Sequence, residues 1–146
     1  MKKYELTAES IVKFGRTLFR IKALVAFGDV EEGELGGFIE KEKNLDQSGN
    51  AWVYGDAWVF KMSHYITVGP IGSRDDFTTF FRTKNLTIGV KCGCFKGDTD
   101  KFFEAVEKTH GNNKHARAYK AAIALAKLQI DLSKEDSDEE ETGKES

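Results

Sequence analysis

Ile39, Leu45, Ala51 and Ala57 recur at intervals of six residues, and Val53 and Val59 repeat in phase with the last two. Asn44, Asn50 and Asp56 directly precede the last three of these positions. A period of six fits neither the 3.6 of a helix nor the 2 of a lone strand, and it marks the coils of a β-solenoid. In such a coil the small or aliphatic residue points into the prism, while Asn, Asp or Gly makes the corner. At about three hexads per turn the stretch supplies little more than one left-handed coil, and about three stacked repeats are needed for a solenoid to stand alone. The rest of the chain, or another copy, must cap it. The phrase from Gly49 to Phe60 also alternates, which puts Trp52, Tyr54, Trp58 and Phe60 outside the prism. Exposed aromatics in a row need a partner. They either form an interface between copies, which makes the chain a homo-oligomer, or pack on the protein's own C-terminal half.

The flanking segments have simpler periods. Tyr4-Glu5-Leu6 and Thr17 to Leu24 alternate as strands, joined into a hairpin through Lys13-Phe14-Gly15-Arg16. Beyond His64, three strands are expected at Tyr65–Val68, Phe77–Arg82 and Leu86–Cys92. A Gly97-Asp98-Thr99 cap opens a helix over about 100–109, with Phe102, Phe103 and Val106 as its stripe, and His110-Gly111 closes it. Asn113 caps a second helix whose apolar face is Ala116, Tyr119, Ile123, Ala126 and Ile130. The expected fold is α+β: N-terminal β-strands and a short left-handed β-helix-like coil over 1–61, then a three-stranded sheet with two C-terminal helices over 62–132.

Residues 133–146 form a third part. They hold seven acidic and two basic residues, a balance of −5 within the chain's formal −2, and no apolar residue. Such a segment cannot offset the entropy of ordering and reads as a disordered, solubilising acidic tail. The remaining body carries +3, enough to accept an anion but without the dense cationic face of a general nucleic-acid binder. No stretch approaches the ~18 apolar residues of a membrane span, and Met1-Lys2-Lys3-Tyr4-Glu5 lacks a secretory apolar run, so a cytoplasmic protein is expected.

The segment Gly69-Pro70-Ile71-Gly72-Ser73-Arg74 carries the main chemical signal. Its glycines leave backbone N–H groups open, Ser73 adds a hydroxyl, and Arg74 offers a fork suited to phosphate oxygens. It matches neither of the standard nucleotide fingerprints and is also ordinary turn vocabulary. Alternation puts Thr78, Phe80 and Arg82 on one strand face, where a ring between Thr and Arg can stack a base and meet its phosphates. The Thr109-His110-Gly111-Asn112-Asn113 turn adds His110 and Asn112, and the second helix adds Tyr119. His110 can orient a ligand, act as a general base, or simply complement the helix carbonyls. Cys92-Gly93-Cys94 with His110, His64 or His115 raises zinc, but structural zinc favours two to four residues between paired cysteines and only two cysteines exist here, so the cysteines read as small free-thiol core residues. No serine or cysteine has a convincing base and orienting acid beside it. A binder without metal or cofactor is expected rather than an enzyme.

The sequence resembles a group of small phage and prophage proteins. The likeness lies in Lys3-Tyr4-Glu5-Leu6, Thr17 to Leu24, Gly33 to Glu40, the Gly-Asn-Ala-Trp-Val-Tyr-Gly-Asp-Ala hexads, Tyr65 to Arg74, Cys92 to Gly97 and Thr109 to Asn113, covering about residues 3 to 130. This chain has few hexads where relatives carry many, which makes the coil a spacer or oligomerisation platform and the C-terminal half the working part. By analogy of type, the resemblance implies an anti-defence sponge that binds and sequesters a nucleotide messenger of bacterial immunity, such as the cyclic-nucleotide or ADP-ribose-type signals of CBASS and Thoeris. On that reading Gly69 to Ser73 and Arg74 hold phosphate, Phe80 or Tyr119 stacks the base, and Arg82 or His110 meets the ribose or a second phosphate. The alternatives are an enzyme that degrades the messenger and a module that inhibits a host protein.

Overall fold

The computed structural model describes residues 2–13, 15–47, 51–73, 76–93 and 95–133. Arg74, Cys94 and the acidic tail beyond residue 133 lie outside the described residues, and with them the expectations attached to those positions.

The chain is α+β, with two α-helices and two four-stranded sheets among the described residues. The first sheet runs β1 (Tyr4–Lys13), β2 (Arg16–Ala23), β3 (Leu35–Ile39) and β4 (Trp58–Val59) in spatial order. Alternating residues and a tight turn make the β1–β2 hairpin, with Lys13 opposite Arg16 and Gly15 at φ 74° between them. A Cβ strains that left-handed conformation, which favours glycine there.

The expected solenoid coil is not formed as such. From residue 51 to 60 the chain is mostly irregular, and β4 is two residues long, pairing parallel to β3 through Phe38↔Trp58 and Ile39↔Val59. The inward positions Ala51, Val53, Ala57 and Val59 are buried as the hexads predict, but so are Trp52, Trp58 and Phe60. One face of this segment packs with Tyr4, Ile21 and Phe81, and the other with Leu18 and Phe38. Apolar rings on both sides of so short a coil are worth more buried against strands than exposed on a prism. The four aromatics expected outside therefore find partners within the chain: the Trp52 ring meets Phe27 edge-on at 5.5 Å while its backbone N–H donates to Thr79 Oγ1 at 3.4 Å, and half-buried Tyr54 meets Phe81 edge-on at 5.1 Å.

The second sheet runs β5 (Tyr65–Ile71), β6 (Asp76–Arg82), β7 (Ile88–Cys92) and β8 (Phe95–Asp98), antiparallel throughout. It has four strands where three were expected. The fourth pairs Cys92↔Phe95 to Gly89↔Asp98 and runs straight into the helix cap. α1 (Thr99–His110) is capped by Asp98, whose carboxylate accepts from Lys101 N–H at 2.8 Å. α2 (Lys114–Gln129) is capped by Asn113, whose side chain accepts from Ala116 N–H at 3.0 Å. The stripe expected on α1 is narrower: Phe102 and Val106 are buried, whereas Phe103 lies 38% exposed beneath Lys120.

β6 is the centre of the molecule. Phe80 points to the helices and packs with Phe102, Val106 and Tyr119, while Phe81 and Thr79 face the N-terminal layer. Both faces of this strand are covered, so its residues from Thr78 to Arg82 are buried.

Candidate functional site

A cleft of about 250 Å³ opens where the β5–β6 turn, the β7–β8 turn and the two helices meet. Ser73, Asp76, Cys92, Thr109, His110 and Tyr119 supply its polar groups, with Phe95, Phe102 and Val106 among its apolar lining. The site is built by turn chemistry. Gly72 sits at φ +85°, and a Cβ there would lie 1.9 Å from the Tyr119 hydroxyl. Glycine thus serves both the hairpin turn and the close approach of Tyr119 to the backbone. Gly72→Ala is expected to cost about 1–3 kcal/mol through this overlap and the strained φ, read as a lowered midpoint in urea denaturation. An unchanged midpoint would show that Tyr119 is not held there.

Tyr119 is 8% exposed and stands in a file of rings. Its ring stacks on His110 at 6.0 Å and 25°, and meets Phe102 edge-on at 5.5 Å. His110 in turn lies 5.5 Å from His115. Thr78 Oγ1 donates to Cys92 Sγ at 3.1 Å, and Tyr119 hydrogen-bonds the same thiol. Burial pushes the Cys92 thiol above its ordinary pKa, ahead of the opposing hydrogen bonds from Thr78 and Tyr119. It stays a protonated thiol at neutral pH, a poor nucleophile and a poor metal ligand. Next to it, Lys91 donates to the Gly93 carbonyl, and burial lowers its pKa although Asp29 opposes the shift. Among the described residues no group of three or more His, Cys, Asp or Glu side chains is placed to hold a metal ion.

Of the ligand residues expected from sequence, Ser73, His110 and Tyr119 line the cleft and Gly72 abuts it through Tyr119. Gly69, Thr78, Phe80, Arg82 and Asn112 do not line it, and Arg74 lies outside the described residues. Gly69 lies in β5, packed so closely on Phe77 that a Cβ would come within 2.7 Å of that ring. From Gly69 to Ser73 the chain is therefore a strand end leading into a turn, not an open loop of amides. Phe80 is fully buried beneath the cleft and has no free face on which a base can stack. Thr78 is committed to Cys92. Arg82 is also fully buried, with Nε donating to the Trp58 carbonyl at 3.3 Å and its guanidinium 4.9 Å over Phe60, away from the cleft. Asn112 is exposed on the inter-helix turn, where its carbonyl accepts from Arg117.

Sequence reading missed Asp76, Cys92 and Phe95 as lining residues. Asp76 opens β6, and its Oδ1 accepts from Phe77 N–H at 2.8 Å, which fixes the carboxylate at the cleft mouth. A glycine-rich turn followed by an acid, set across a sheet from another glycine turn, is the pattern that points to it. Chemically the cleft offers a carboxylate acceptor, hydroxyl groups, one imidazole and aromatic walls. That set suits the sugar and base of a nucleoside better than a bare phosphate. Ser73, His110 and Asp76 share the cleft, yet no hydrogen bond joins any two of them among the described residues. Comparison with protein-family models, curated proteins and solved structures gives no match to this chain.

Proposed function

We propose that this protein binds a nucleotide-derived signalling molecule, a cyclic nucleotide or an ADP-ribose derivative, and withholds it intact, as a phage anti-defence sponge does. One observation carries the reading: Ser73, His110 and Tyr119, drawn from a hairpin turn and two helices, line a single cleft together with Asp76. The nucleoside end occupies this cleft. Asp76 accepts from ribose hydroxyls or a base amino group, Ser73 supplies a hydroxyl, and the rings of His110 and Phe95 enclose the base. Arg74, next in sequence to Ser73, serves the phosphate.

Sequestration needs affinity without turnover, and the cleft's nucleophile candidates fit that requirement. The Cys92 thiol is held protonated by burial, and among the described residues Ser73 has no hydrogen-bonded base. One observation favours a second reading, degradation of the messenger, because Ser73, His110 and Asp76 lie in the same cleft and a substrate can draw such groups together.

The test is a thermal-shift screen against cyclic dinucleotides, cyclic trinucleotides and ADP-ribose derivatives, with Arg74→Ala, Ser73→Ala and His110→Ala beside the unaltered chain. A ligand present at 100 times its Kd adds about 2.7 kcal/mol of stability, which appears as a shift of several degrees. The expected result is such a shift for one ligand class, reduced at least tenfold in affinity by Arg74→Ala and by His110→Ala. No shift with any class would end the sponge reading and leave the host-protein inhibitor as the alternative.

A further inference from the structure

A second, larger hollow of about 500 Å³ lies on the seam between the two sheets, and none of its lining residues belongs to the helix-side cleft. The seam is closed by the bridge Ala57↔Thr83 and by Lys84 N–H donating to the Asp56 carbonyl at 2.8 Å. Hollows at such junctions are where ligand sites most often form, and this volume falls in the range of about 300–1,000 Å³ that small-ligand pockets occupy.

We propose that this groove is a separate binding site for a phosphate ester of nucleotide size. Its floor is apolar, made by Phe38 and Trp58. Cations stand around that floor: Lys13 from β1, its ammonium 5.0 Å over the Trp58 ring, Arg20 from β2, its guanidinium 4.4 Å over Phe38, and Lys84 from the β6–β7 turn. Arg20 is fixed as a wall, since Nε pairs with Glu9 at 3.0 Å and Nη1 donates to the Gly36 carbonyl at 2.7 Å. Lys13 and Lys84 are exposed and make no ion pair among the described residues, so their charge is available to a ligand. The two lysines are 71 positions apart in sequence and come from different sheets.

The turn that carries Lys84 is rigidly built. Thr83 Oγ1 accepts from Asn85 N–H at 3.3 Å and from Thr87 N–H at 3.2 Å, and its hydroxyl meets that of Thr87 at 2.7 Å. Leu86 adopts φ 60°, a left-handed conformation that a branched side chain rarely takes unless its surroundings impose it. The backbone at Lys84 and Asn85 is thereby held at the edge of the groove. Asn85 and Asp56 give the groove an amide and a carboxylate beside the cations, matching the mixed donors and acceptors of a sugar or base edge. An extended polyanion fits less well: the other cations of β2, Arg16 and Lys22, are already paired with Glu40 at 2.9 Å and Glu5 at 4.0 Å.

Adenosine diphosphate is the probe, with adenosine and inorganic phosphate as controls, in a titration of the full chain followed by amide and indole NMR shifts. ADP is expected to perturb Gly55, Lys84, Asn85 and the Trp58 indole, with the Trp52 indole unmoved. Lys13→Glu combined with Lys84→Glu is expected to weaken ADP at least tenfold, and Lys22→Glu, a charge change outside the groove, to leave it within twofold. Adenosine binding as tightly as ADP, shifts confined to Ser73 and His110, or a charge reversal without effect would each overturn the proposal. Because the helix-side reading is followed at Ser73 and His110, either site can fail without the other.

Discussion

Phe81→Ala is expected to destabilise the protein by about 3–5 kcal/mol. Phe81 is 1% exposed, and although it belongs to the second sheet it packs into the core of the first, with Tyr4, Ile21 and Val53. Its ring meets Tyr54 edge-on at 5.1 Å and lies so close to Gly89 that a Cβ there would sit 2.6 Å from Cε1 and Cζ. Truncation removes a large apolar surface and leaves a cavity at the junction of the two layers, where neither sheet can collapse to fill it. Against a total stability of about 5–15 kcal/mol, such a loss removes from about a fifth to all of the margin. Urea denaturation followed by circular dichroism measures it, and a loss below about 1 kcal/mol would show that the two layers do not share this core.

The second large effect is acid lability through His64. This imidazole is fully buried, and its Nδ1 accepts from Phe60 N–H at 3.1 Å, so it must be neutral there. Burial lowers its pKa to about 3, helped by the charges of Arg82, Lys61 and Arg16 and opposed by Asp131. The folded pKa lies below the unfolded value of about 6.5, so between these limits the unfolded chain takes up a proton that the folded chain refuses. Stability from this group is complete above about pH 6.5 and falls by about 1.4 kcal/mol per pH unit as pH drops towards 3. At pH 4 the loss amounts to about 3 kcal/mol relative to pH 7. His64→Asn keeps an acceptor near the Nδ1 position and cannot be protonated, so it is expected to be less stable at pH 7 but to lose less on acidification. The stability difference between the two proteins, measured from pH 4 to 7, should shrink or reverse towards pH 4. A difference constant over that range would contradict a buried neutral His64.

Much of the fold is legible in local sequence. The β1–β2 hairpin follows from alternation about a glycine turn, and both helices follow from Asp98 and Asn113 caps ahead of residues spaced by three and four. The α2 face predicted from Ala116 to Ile130 is the face that is buried. What periodicity cannot supply is what lies on the other side of a strand. The hexads mark Ala51, Val53, Ala57 and Val59 as buried positions, which they are, but nothing local says that no prism forms, that Trp52 meets β6 or that Trp58 and Phe60 pack with Leu18 from β2. The fourth strand of the second sheet, Phe95–Asp98, is too short to alternate visibly.

The same limit governs the sites. Ser73, His110 and Tyr119 were legible because each stands in a turn or on a helix face with its own local signal. Phe80 and Arg82 carried the right chemistry on the right strand, yet tertiary packing covers both. The seam groove had no local signal at all, since Lys13, Trp58 and Lys84 come together through the joining of two sheets.

The central claim, capture of an intact nucleotide messenger, is tested most directly by incubating the protein with the ligand that gives the largest thermal shift, removing free ligand, denaturing the complex and chromatographing what is released. The account predicts recovery of the unchanged molecule in a fixed ratio to protein. Release of hydrolysed products, or of no nucleotide at all, would contradict it.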